Sequence, residues 1–191
     1  LKSLKSLDID LTYGGFGKNL VTDFYKPLLS SSVLYKRSTA FFTGGIFTIA
    51  ASSIKDFVID NDGKIQLVTS TIFNKDYLPT ESKEPNYSDL VSAIDNLIEY
   101  SNGKAVIELI GTLIANKKLD IKIANVPTPG IHHEKVGIFE DVNGNSLSFS
   151  GSINETWSGW TVNSEEFKVF KSWDKSSLYF ESDLKQFDDL W

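Results

Sequence analysis

The sequence predicts an α/β fold: a mixed, mostly parallel β-sheet flanked by helices on both faces, with a late β-hairpin. Three observations carry that expectation. Residues 33–69 run strand, helix, strand, a βαβ unit. Two apolar-striped helices and a further alternating strand follow, and Asn143-Gly144 between two aliphatic runs is a strong hairpin signal. Strands alternating with helices build a sheet that needs cover on both faces.

Taken in order, residues 1–19 are mixed in pattern, and "YGGFGKN" at Tyr13–Asn19 falls short of a phosphate-binding loop. Its glycine spacing is wrong, and Asn19 replaces the hydroxyl that would hold magnesium. "LVTDFYKPLLSSS" reads as a short helix carrying Phe24, Leu28 and Leu29. "VLYKRSTAFFTGG" is a strand ending in a glycine turn; "IFTIAASSIKDFV" has helical spacing at Ile46, Ile49, Ala50, Ile54 and Phe57; "KIQLVTS" is the next strand. The polar run Asn74–Asp89, with two prolines, reads as an exposed loop able to border a groove.

Two core helices are expected next, broken near Asn102-Gly103. Leu90, Val91, Ile94, Leu97 and Ile98 stripe the first behind a Ser88 cap; Val106, Leu109, Ile110, Leu113 and Ile114 stripe the second. "LDIKIAN" is a strand, "PTPG" a connector, and the hairpin strands lead through Asn154–Gly159 to a last strand, "EEFKVFKSW". Residues 1–174 are read as one domain, and 175–191 as a helical segment that packs on it or leads to a following domain. The segments "AFFTGGIFTIAA" and "SFSGSINETW" echo one another, each running from an aromatic strand through small residues towards a helix, but a single echo is no repeat.

Composition narrows the chemistry. A chain of 191 residues can bury roughly 70% of its unfolded surface, enough for a real core. With no cysteine, disulfides, thiolate nucleophiles and Cys-based metal sites are excluded. No apolar run approaches the roughly 20 residues of a membrane span, and no charged leader precedes an apolar stretch, so a cytoplasmic location without membrane partners is expected. The first residue is not Met, which suggests a fragment or trimmed chain. The net charge of −6 argues against coating nucleic acid non-specifically, yet leaves room for a local basic cleft.

Both histidines lie in "IHHEKVGIFEDVNGNSLSFSGSINETWSGW". On a strand, His133 and Lys135 share a face while His132 and Glu134 take the other. The hairpin brings the next strand alongside, and that strand runs into Ser152 and Asn154 at the expected start of a helix, where N–H groups, a hydroxyl and an amide can converge on an anion. An imidazole, an ammonium, an amide and a hydroxyl around one point suit phosphoryl transfer.

His133-x-Lys135 followed by Gly151-Ser152-x-Asn154 resembles the HxK…GSxN signature of the phospholipase D superfamily, and Glu165 lies where single-motif nucleases of that superfamily carry a histidine-orienting glutamate. The wider runs "FYKPLLSSSVLYKRSTAFFTGG" and "NSEEFKVFKSW" are similar to the phospholipase D-like domain at the N-terminus of DEAD/DEAH-type helicases in restriction and phage-defence systems. The superfamily pattern would put aspartate at position 140, where this chain has Glu140, with Asp141 one residue later.

The resemblance implies a nuclease that needs no metal or other cofactor. His133 would attack phosphorus to give a phosphohistidine, a second histidine would protonate the leaving oxygen, and water would release the product. The chain has one HxK, so a homodimer pairing His133 across a twofold axis would supply the second. Lys135, Ser152 and Asn154 are assigned to phosphate, and Glu165 rather than the oppositely facing Glu166 to His133. DNA is the expected partner, within a larger helicase or restriction protein.

Other readings stand beside this one. A catalytically silent nucleic-acid-binding and dimerisation module, or a small-substrate phosphodiesterase, would share the motif. A metal site from His132, Glu134 and Asp141 matches no familiar spacing. Trp157, Trp160 and Trp173 could stack on bases, whereas Phe167 and Phe170 read as core. Lys36, Arg37, Lys168 and Lys171 are candidate exposed cations, either solvated or on DNA.

Overall fold

The computed structural model describes residues 2–14, 17–70, 87–100, 102–124, 126 and 130–191. Most of the expected loop at Asn74–Asp89 and of the "PTPG" connector lies outside them. A 3-10 turn at Leu4–Ser6 precedes β1 (Thr12–Gly14), and a π-helical turn at Val21–Tyr25 runs into α1 (Lys26–Ser31). Then come β2 (Leu34–Thr39), α2 (Gly45–Ile49), α3 (Ala51–Lys55) with a π-helical turn at Asp56–Asp60, and β3 (Lys64–Thr69). The helices α4 (Tyr87–Tyr100) and α5 (Gly103–Ala115) lead to β4 (Leu119–Ile123), β5 (Val136–Glu140) and β6 (Ser146–Gly151). The chain closes with α6 (Trp157–Thr161), β7 (Glu166–Lys171) and α7 (Ser177–Leu190).

The seven strands form one mixed sheet in the order β1-β7-β6-β5-β2-β3-β4. The α/β class holds, but the sheet is not mostly parallel: only β2–β3 and β3–β4 pair parallel, and the other four pairings are antiparallel. The reason is topological. Parallel neighbours need a long crossover, which the helical stretches between β2 and β3 and between β3 and β4 supply, whereas β5 and β6 are joined by a tight hairpin and the chain returns through α6 to lay β7 antiparallel beside β6.

Alternation along each strand divides the core. Tyr35, Ile65, Leu67, Phe139, Leu147, Phe149 and Phe167 face the helices α1–α5 in one cluster, where Phe24 packs against Tyr13, Phe139, Phe149, Trp160 and Phe167. Val68, Val136 and Ile138 face the other way, under Phe180 and Phe187 of α7. The stripe of α4 is Leu90, Ala93, Ile94 and Leu97 rather than the expected set, since Ile98 is 45% exposed. Ser88 sits inside α4, while Asn102 caps α5 by accepting from the Ala105 N–H at 3.0 Å.

The β5–β6 hairpin is held by Asp141. Its carboxylate accepts from the N–H groups of Leu4, Asn143 and Asn145, each at 2.9 Å, and from the Ser3 hydroxyl, tying the N-terminus to the turn. Gly144 closes that turn at φ +75, where a side chain would be strained. The Glu140 carboxylate, by contrast, accepts from the Ser146 hydroxyl at 3.3 Å. Of the two acids, Asp141 makes the contacts that hold the turn.

Candidate active site

Register brings the motif residues to one rim of the sheet. Thr39, Thr69 and Ile123 end the parallel strands there; Ser38 pairs with Val136, Val136 with Ser150, and Gly151 with Phe167. The connections beyond those pairs carry Lys135, Ser152, Asn154 and Glu165. Gly151 has to be glycine, because a Cβ there would strike the Glu166 carbonyl and stand 2.6 Å from the Phe167 Cα.

Two local expectations change. His133 and Lys135 precede β5 instead of lying within it, although the Gly151 N–H still donates to the Lys135 carbonyl at 3.4 Å. The Ser152–Asn154 stretch is a loop, not a helix start: α6 begins at Trp157, capped by Thr156, and is a five-residue turn.

His133 is exposed, and Lys135 is only 8% exposed. The Lys135 Nζ donates to the His133 carbonyl at 2.9 Å and stands 3.2 Å from both ring nitrogens. The lone pairs of Nδ1 and Nε2 diverge, so one ammonium cannot meet both in the ring plane, and this is a charge–ring contact. Burial and the Arg37 guanidinium push the Lys135 pKa below the ordinary lysine value, and Glu165 partly offsets them. His132 points away, its Nε2 2.7 Å from the Ser38 hydroxyl in a buried pair, and burial foremost lowers its pKa.

Asn154 is oriented by its oxygen. The Oδ1 accepts from the Phe41 N–H at 3.3 Å and the Thr39 hydroxyl at 3.4 Å, leaving the Nδ2 donor without a hydrogen bond among the described residues. Ser152 is engaged: its hydroxyl donates to Glu165 and accepts from the Glu166 N–H at 3.1 Å. The other Glu165 oxygen accepts from Asn163 at 3.1 Å. Glu165 is thus bound to Ser152 and Asn163 and makes no hydrogen bond to His133.

Below the rim lies a buried network that the sequence reading missed. The Glu155 carboxylate accepts from Tyr25 at 2.8 Å, Tyr35 at 3.1 Å, Arg37 Nε at 2.9 Å and Trp160 Nε1 at 3.3 Å. Arg37 also donates to the Ile153 carbonyl, and the Glu155 N–H donates to the Thr39 hydroxyl at 3.1 Å. Arg37, read as an exposed cation, is 0% exposed because its side of β2 faces the helices. The neighbouring Lys36 faces α7 and pairs with Asp188 at 2.7 Å.

Lys168 pairs with Glu166, and Lys171 donates to the Ile9 carbonyl at 2.6 Å. Trp160 and Phe167 are core, whereas Trp157 is 47% exposed. Among the described residues no three His, Asp or Glu side chains are grouped to hold a metal ion, so His132, Glu134 and Asp141 make no such set.

Neither the protein-family models nor the curated proteins contain a match to this sequence. Solved structures do. The chain is similar to a phospholipase D family member, Nuc from Salmonella typhimurium, with TM-score 0.53, 20% identity, and 94% of this chain and 93% of that chain covered. It is also similar to phosphatidylserine synthase from Haemophilus influenzae Rd KW20, with TM-score 0.55 and 14% identity, 94% of this chain covering 37% of that one. The chain has a phospholipase D-like fold. No helix among the described residues is long and apolar enough to cross a membrane.

Proposed function

We propose that the chain is a phosphodiesterase that cleaves DNA through a phosphohistidine, without a metal. The observation that carries this reading is an exposed imidazole against a largely buried ammonium, on the same rim as an amide donor held free by its own oxygen. His133 forms the N–P bond as the P–O bond to the leaving strand breaks, and Lys135 and the Asn154 Nδ2 stabilise charge on the nonbridging oxygens. The leaving oxygen takes a proton from His133 of a second copy, and water then cleaves the N–P bond. Glu165, bonded here to Ser152 and Asn163, orients His133 once substrate is bound, in keeping with catalytic contacts that tighten on binding. The domain is read as part of a helicase or restriction protein.

The test is cleavage of single- and double-stranded DNA in EDTA by the wild type and His133→Ala. EDTA-resistant cleavage is expected in the first and its loss, by at least about a thousandfold, in the second. Cleavage that EDTA abolishes, or that survives in His133→Ala, would contradict the reading. A binding module without turnover is the second reading, favoured by the engagement of Glu165 with Ser152 and Asn163. It requires salt-sensitive DNA binding with no cleavage.

A further inference from the structure

We propose that a cleft beside Glu165 holds the nucleotide next to the scissile phosphate, so that the substrate is a polynucleotide strand and not a small diester. The inference rests on the phosphodiesterase reading and deepens it. The cleft encloses about 790 Å³, within the range of sites that hold a ligand of nucleotide size. Its lining includes the connection Asn163–Glu165, the lysines Lys18 and Lys26, and the apolar Ile49 and Trp160. Because Glu165 is bonded to Ser152 through one oxygen and to Asn163 through the other, the cleft begins where the site ends.

The glycine-rich stretch at Tyr13–Asn19 acquires a place here. Its Gly14, Gly17, Lys18 and Asn19 line the cleft. Asn19 is occupied locally, its Oδ1 accepting from the N–H groups of Val21 and Thr22, both at 3.1 Å, and its N–H donating to Asp23 at 2.9 Å. What the cleft offers a strand is two cations, Lys18 from this stretch and Lys26 from α1. Lys26 makes no ion pair among the described residues, and Lys18 pairs only with the exposed Asp10, a contact a phosphate can replace. On a chain of net charge −6, two such lysines have to be local to the strand to hold it.

Each ammonium–phosphate contact on a single strand releases roughly 0.7 counterion, which at 0.1 M salt amounts to about fivefold in affinity. Lys18 contributes less than this because its Asp10 pair must open. The experiment measures anisotropy of a labelled single-stranded 12-mer in EDTA across a salt series. It uses the wild type, Lys18→Gln/Lys26→Gln, and Lys64→Gln/Lys185→Gln, which removes equal charge elsewhere. In parallel, hydrolysis of bis(p-nitrophenyl) phosphate is measured in the wild type and His133→Ala.

The cleft double variant should bind about tenfold more weakly at 0.1 M salt, with a salt slope shallower by roughly one. Unchanged affinity and slope, or an equal loss in the Lys64/Lys185 variant, would overturn the proposal. If the small diester is hydrolysed through His133 while the cleft variant binds like wild type, the cleft assignment fails and the phosphodiesterase reading stands. If the slope changes but neither the small diester nor the DNA strand is cleaved through His133 in EDTA, the cleft binds a strand and the phosphodiesterase reading fails.

Discussion

At the scale of single residues, the candidate site is held by groups buried beneath the rim. The Thr39 hydroxyl accepts from the buried Glu155 N–H and donates to the Phe41 carbonyl at 3.1 Å, with Asn154 Oδ1 a longer alternative at 3.4 Å. Thr39→Val removes that acceptor and should cost about 1–3 kcal/mol in urea unfolding, with Thr39→Ser close to wild type. Glu155→Gln leaves the Arg37 charge buried without its partner, for an expected loss of about 3–5 kcal/mol by the same measurement. The motif residues themselves were legible in the sequence because HxK and GSxN are short-range patterns. Glu155 was not, since a carboxylate one residue beyond Asn154 looks like a solvated charge until Tyr25, Tyr35, Arg37 and Trp160 converge on it from distant parts of the chain.

At the scale of elements, two carboxylates that fix loops and helices titrate in opposite senses. Burial tends to raise the Asp141 pKa, but hydrogen bonds from Asn145, the Leu4 N–H and Ser3 hold it below the ordinary value. Its contribution is therefore present above the unfolded pKa, near 4, and lost as pH falls through the lower folded value. Asp183, under α7, is raised by burial despite the Ser148 hydroxyl at 2.6 Å, so its contribution is full below that unfolded pKa and lost as pH rises through the folded one. Urea midpoints against pH should show a flatter acid limb in Asp141→Asn, and a smaller decline above about pH 4 in Asp183→Asn. The elements themselves were largely readable, because periodicity marks helices and strands directly. What periodicity could not give was pairing direction: the same alternating strands serve a parallel or an antiparallel neighbour, and four of the six pairings are antiparallel. The echo between the two aromatic-to-small segments did carry spatial information, for Phe42 and Glu155 form a parallel bridge that sets those segments side by side.

At the scale of the whole molecule, one sheet rim gathers the imidazole, the ammonium and the amide, and the cleft beside them carries the cations that an acidic chain lacks on average. The two-histidine mechanism needs a second copy, because the other histidine of this chain faces the buried Ser38. A dimer at micromolar concentration with DNA present is the expected result of light scattering; monomer alone would remove the second histidine. The nucleophilic role of His133 is the claim on which the rest turns. The most direct measurement is alkaline quenching of a reaction with internally radiolabelled DNA, followed by mapping of the labelled peptide. The account predicts an alkali-stable, acid-labile adduct on the peptide containing His133, absent from His133→Ala. Turnover with no protein-bound label at any quench time, or label on another residue, would contradict it.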